Sequence, residues 1–147
     1  MEIKVAVKDT ILRPIAQVFD CIVSPTKISK FFTSDVRGSF EQEQTLTWVF
    51  EDVGVELEVK VQKLVTNELI SFQWEASGQP ANVDIMLTSV SNTQTNIAIT
   101  EAIFKNDEIG VKRALQQTQG WTDFICSMKA YLYANINLRS GRTHQSK

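Results

Sequence analysis

The chain has 147 residues, 43 % hydrophobic and 22 % charged, with 15 Lys and Arg against 17 Asp and Glu for a formal charge of −2. That length fits one domain able to bury roughly 68–70 % of its unfolded surface. The slightly acidic balance argues against nucleic acid as the main partner, since phosphate contacts need concentrated positive charge. The apolar runs fall far short of the ~20 residues needed to cross a bilayer, which argues against a membrane span.

Ile3, Val5 and Val7 alternate with Lys4, Ala6 and Lys8. This predicts a half-buried strand, and an opening without an apolar leader segment predicts no secretory signal. Pro14 suits the first turn of a short helix running to Val23, and Ser24-Pro25 caps and restarts a second helix to about Phe31. From Val36 to Phe104 the pattern is strand-like. Leu46, Trp48 and Phe50 share one face; Val55, Leu57, Val59 and Val61 alternate with Glu56, Glu58, Lys60 and Gln62; Ile70, Phe72 and Trp74 share a face, as do Val83, Ile85 and Leu87. Turn candidates stand between them at Asp52-Val53-Gly54, Thr66-Asn67-Glu68, Ser77-Gly78-Gln79-Pro80 and Ser91-Asn92-Thr93-Gln94. Ile97, Ile99, Glu101 and Ile103 line one face of the last strand. Consecutive strands on such short turns pair antiparallel, because a parallel pair needs a crossover of about a dozen residues.

The covering element comes last. Val111, Leu115, Thr118, Trp121, Ile125, Met128, Leu132 and Ile136 recur at steps of three or four and predict an amphipathic helix over about 107–138, with Lys112, Arg113, Gln116, Gln117, Asp123 and Lys129 largely on its polar side. It would be ~45 Å long. Asn106, Asp107 and Glu108 supply its cap and acidic first turn; Arg139 and Gly141 mark its end. The tail 140–147, with the single histidine His144, is expected to fray. Cys21 and Cys126 each fall in a predicted helix, and with no export signal both are read as buried free thiols in a cytoplasmic protein.

The expected class is therefore α+β: a strand, two short helices, a six-strand meander and a long C-terminal helix, all in one domain over residues 1–139. This order resembles the START-like or SRPBCC superfamily, the helix-grip fold shared with the major birch-pollen allergen, in which a curved antiparallel sheet wraps the last helix. Gly120-Trp121-Thr122-Asp123-Phe124 followed by Met128-Lys129-Ala130-Tyr131-Leu132, Ile99-Thr100-Glu101 in the last strand, and Pro14, Val18-Phe19 and Ser24-Pro25 at the start resemble the family named for the activator of heat-shock protein 90 ATPase. That resemblance implies a chaperone as one partner.

A sheet curved around a helix need not close completely, and the gap is where an apolar or amphipathic, lipid-like small molecule would bind. Phe32, Trp48, Phe50, Phe72, Trp74, Glu101, Trp121 and Ile125 form the candidate wall. Any one of the rings can equally be plain core, since large aromatics dominate burial. Glu101 shares the inward parity of Ile97 and Ile99. An inward carboxylate would anchor a ligand or act as a general acid or base in a cyclase- or hydrolase-like enzyme. Parity fails most often near strand ends, which favours an outward Glu101, at a water-exposed strand end or on a bulge. No HExxH, GxSxG, P-loop or dinucleotide fingerprint occurs, no cysteine has a histidine partner, and no ligand spacing suggests a metal. No catalytic residue, metal or cofactor is assigned, and the expected role is binding.

Overall fold

The computed structural model describes residues 2–76 and 78–141; Ser77, the side chain of Ile103, and residues 142–147 with His144 lie outside the described residues. Strand β1 (Glu2–Ile11) is followed by α1 (Ile15–Val23) and α2 (Pro25–Ile28), then by β2 (Asp35–Arg37), β3 (Thr45–Phe50), β4 (Val55–Val65), β5 (Leu69–Trp74), β6 (Ala81–Ser91) and β7 (Gln94–Lys105), and by α3 (Glu108–Ala134). The strands form one antiparallel seven-stranded sheet in the order β1-β7-β6-β5-β4-β3-β2. The helix pair α1–α2 carries the chain from one sheet edge to the other. One face of the sheet takes α3, which crosses β1 and β7, and α1, which packs on β6 and β7. This is the helix-grip arrangement.

Local chemistry explains the boundaries. Ser24 ends α1 with its N–H on the Asp20 carbonyl and opens α2 with its Oγ accepting from the Lys27 N–H, while Pro25 holds the first helical position. Asp107 caps α3, its Oδ1 accepting from the Gly110 N–H at 2.7 Å, and Glu108 complements the helix dipole. The helix is 27 residues, about 40 Å, and it ends earlier than its apolar spacing predicts. Asn135 takes the left-handed conformation (φ 53°), and N–H groups of Asn135 and Ile136 bond the Tyr131 and Ala130 carbonyls. Arg139 and Gly141 therefore lie beyond the helix.

Strand parity holds through the core. Leu46, Trp48, Phe50, Val59, Val61, Ile70, Phe72, Val83, Ile85, Leu87, Ile97 and Ile99 are all buried. A register shift between Val61 and Lys63 moves β4 by one residue, so Leu64 continues the inward face that Val61 leaves.

The phase of α3 differs from the predicted stripe. Its inward line runs through Gly110, Ala114, Gln117, Trp121, Phe124, Ile125 and Met128, whereas Leu115 is 66 % exposed and Val111, Thr118 and Ile136 also face solvent. The cause is steric. A Cβ on Gly110 would lie 1.8 Å from the Lys105 carbonyl oxygen, so the first turn of α3 rests on the end of β7 and only a small residue can face it. Gly120 has open space around its own missing Cβ. Gly110→Ala is thus expected to lower the unfolding free energy by at least about 2 kcal/mol, and Gly120→Ala to raise it by about 0.5–1 kcal/mol. Urea denaturation of both variants checks this; equal effects would remove the close-approach account.

Candidate functional site

Glu101 sits well inside β7, opposite Val5 of β1 and Val83 of β6. The β6–β7 ladder is regular around it, and the shift in the β1–β7 ladder lies beyond it, between Ile3 and Lys4. Parity therefore survives, and the expectation that a strand end or bulge would turn Glu101 outward is overturned: it is fully buried, 0 % exposed. Four N–H contacts occupy its carboxylate. Trp74 Nε1 donates to Oε2 at 3.0 Å and Trp121 Nε1 to Oε1 at 2.8 Å; Gln117 Nε2 donates to Oε1 at 3.0 Å and to Oε2 at 3.3 Å. Among the described residues no cation pairs with it. Charge-assisted bonds from neutral donors meet the desolvation of the group. With both oxygens so engaged, acting as an acid or base would require breaking this cluster first.

Around the carboxylate the predicted wall residues do come together, and they touch one another. Phe32 packs on Trp48 (5.5 Å between ring centroids), Phe50 (5.0 Å) and Trp121 (6.4 Å); Trp74 meets Phe72 (5.4 Å), Trp48 (5.8 Å) and Trp121 (5.2 Å). Ile125 is buried in the same cluster. Most pairs are edge-on or tilted, the arrangement that ring quadrupoles favour. Phe31, Phe40, Phe124 and Tyr131 extend the network.

Outside this interior, a half-open cleft of about 470 Å³ lies at the end of β4 and β5, lined by Glu56, Leu57, Glu58, Lys60, Gln73, Trp74, Glu75 and Pro80. Trp74 belongs to both regions. At the other margin, the chain turns back after α3 and lays the Arg139 guanidinium over Phe32 and Phe50, with Nη2 2.5 Å from Asp52 Oδ2 and Nη1 3.7 Å from Asp123 Oδ2.

Two contributors escape a reading by composition alone. Gln117 was expected on the polar side of α3; its spacing of four from Trp121 is the signal that places both on one face. Arg139, read as a helix end, is instead a cap on the aromatic cluster. Cys126 is exposed rather than buried, because it follows the outward phase of α3, whereas Cys21 is buried in α1 and burial pushes its thiol up to about 12. No group of three or more His, Cys, Asp or Glu suited to a metal occurs among the described residues, and no helix there is long and apolar enough to cross a membrane.

Two measurements test this geometry. Native protein at mildly alkaline pH should titrate one fast thiol with a disulfide reagent, Cys126, and a second only on unfolding; two fast thiols would contradict the burial of Cys21. Glu101→Gln replaces an oxygen with an N–H₂ facing donors and should cost roughly 1–3 kcal/mol in denaturant unfolding, more than Gln117→Ala, which leaves the two indole bonds intact.

Comparison with known proteins places this geometry. The family model described as Activator of Hsp90 ATPase homolog 1-like protein matches residues 13–133. No curated protein matches the chain. Among solved structures, protein SSP2350 from Staphylococcus saprophyticus is 28 % identical, with a TM-score of 0.81 over 95 % of this chain and 98 % of that one. Protein MLL2253 from Mesorhizobium loti (15 %, 0.78, covering 91 % and 99 %) and the Aha1 dimer from Colwellia psychrerythraea (19 %, 0.76, covering 90 % and 97 %) share the fold. With 121 residues inside the matched range and the whole sheet-and-helix architecture in common, the chain belongs to the Activator of Hsp90 ATPase homolog 1-like family of the SRPBCC superfamily.

Proposed function

We propose that residues 1–139 act as one binding domain for an apolar or amphipathic small molecule, entering at the cleft beside Trp74 and resting against the aromatic interior, in a cytoplasmic protein without catalysis of its own. One observation carries this reading: Trp74 forms a wall of a cleft of about 470 Å³ while its indole N–H is fixed on the buried Glu101. Leu57, Trp74 and Pro80 give the cleft an apolar side for the body of a ligand, and Glu56, Glu58, Lys60, Gln73 and Glu75 give it polar groups that would fix orientation. The rings behind Trp74 pack on one another, so the ligand seats at the cleft and displaces side chains as it goes deeper. An exposed free Cys126 fits a reducing compartment.

Family membership favours a second reading, a chaperone-associated interaction module. The outward residues Ile109, Val111 and Leu115 at the start of α3 would be its apolar surface.

Native mass spectrometry of protein isolated gently from its host extract separates the two. The binding reading expects a reproducible extra mass that is lost on denaturation and missing from Trp74→Ala. A bare mass across preparations, together with capture of a chaperone that fails for Leu115→Glu, would replace it with the second reading.

A further inference from the structure

We infer that the molecule bound at the cleft carries a hydrogen-bond acceptor met by the indole N–H of Trp48, which makes Trp48 the specificity-determining residue, and that this molecule is a flat, apolar and uncharged compound rather than an anion. The inference rests on the binding reading above and names the ligand class for the same site.

The chain has three tryptophans. Two spend their N–H groups on Glu101. The third, Trp48, is 0 % exposed and its Nε1 has no hydrogen-bond partner. Buried donors left unpaired are rare in folded proteins, because they lose water and gain nothing. The immediate ring neighbours of Trp48 are Phe32, Phe40, Phe72 and Trp74, none of whose side chains carries an oxygen.

Position ties this donor to the cleft. Trp48 stands opposite Leu57 in the β3–β4 ladder and edge-on to Trp74, 5.8 Å between centroids. Leu57 and Trp74 are cleft walls that adjoin Trp48, and half-buried Leu57 is the less constrained of the two, since Trp74 is held by Glu101. An oxygen on the leading end of a flat molecule would take the Trp48 N–H while its body lies along Trp74. The rim disfavours an anion: Glu56, Glu58 and Glu75 stand against Lys60, with Arg37 paired to Glu56.

The test uses three probes of similar size: acetophenone (a neutral carbonyl acceptor), ethylbenzene (no acceptor) and benzoate (an anion). Each is titrated into ¹⁵N-labelled protein while the three indole resonances are followed, with Trp48→Phe providing the assignment. Acetophenone is expected to bind about five- to tenfold more tightly than ethylbenzene, the equivalent of one hydrogen bond. Benzoate should bind most weakly. Relative to ethylbenzene, acetophenone should move the Trp48 indole proton downfield and leave those of Trp74 and Trp121 unchanged. In Trp48→Phe the ratio of acetophenone to ethylbenzene affinity should fall to about one. Binding of acetophenone with the Trp48 resonance unmoved, or a preference that survives in Trp48→Phe, overturns this inference and leaves the binding reading standing. Failure of all three probes to bind overturns both. Should Trp48→Phe not fold, NOE contacts to the Phe40 ring, which neighbours Trp48 and neither other tryptophan in the ring network, assign the resonance, and the wild-type Trp48 shift decides alone.

Discussion

A single carboxylate, buried without a cation, organises this protein. Glu101 gathers N–H donors from Trp74 on β5 and from Gln117 and Trp121 on α3, and so joins β5, β7 and α3 at one point. A buried charge that loses one donor is far more costly than a buried methyl that loses a neighbour. The cluster therefore acts as a register pin. Gln117 and Trp121 are one helical turn apart, and with both facing Glu101 the rotation of α3 is fixed. The close approach of Gly110 to the Lys105 carbonyl fixes the same rotation from the other end of the contact. Two independent constraints, one polar and one steric, agree on a phase that sends Val111 and Leu115 into solvent.

The aromatic interior follows from that pin. Once Trp74 and Trp121 are oriented by their N–H bonds, their rings stand 5.2 Å apart and the phenylalanines pack against their edges. Arg139 closes the far side by covering Phe32 and Phe50 while Asp52 and Asp123 hold its charge. A planar guanidinium suits this place because it can stack on rings and bond carboxylates at once. The gap between sheet and helix is thus occupied by the protein's own rings, and the unfilled volume lies outside them, at the β4–β5 end.

The sheet was legible in the sequence because period-2 alternation with one covered face leaves little freedom: shifting Ile70, Phe72 and Trp74 by one residue would expose all three. Even Glu101, the exception to an apolar face, obeys parity, because it sits inside a regular ladder and two indoles and an amide satisfy its carboxylate. The helix phase was less legible. Gly110-Ala114-Gln117-Trp121 and Val111-Leu115-Thr118 are adjacent lines on one helix, and hydrophobicity prefers the second line, while close approach to β7 selects the first. Cys126 lies off the apolar stripe, between the inward Ile125 and Met128, and helix geometry turns it outward although thiols are commonly buried. The Arg139 cap, which depends on a left-handed Asn135 and a chain reversal, leaves no periodic trace. The cleft was out of reach as well, because it exists only where β4 outruns β5.

These layers separate what stabilises the fold from what is free to bind. Trp121 and Gln117 are fully committed to Glu101, so a change in either disturbs the fold whatever else it does. Trp74 is committed to Glu101 and also faces the cleft, so it belongs to the fold and to the surface together. Trp48 differs from both. It is as deeply buried, yet its one polar atom is bound to nothing. Removing that N–H while keeping a ring takes no internal bond from the protein, and any effect beyond packing must come from a partner outside the chain. In a core where every other indole is tied down, the one left unspent is where structure and ligand recognition can be told apart.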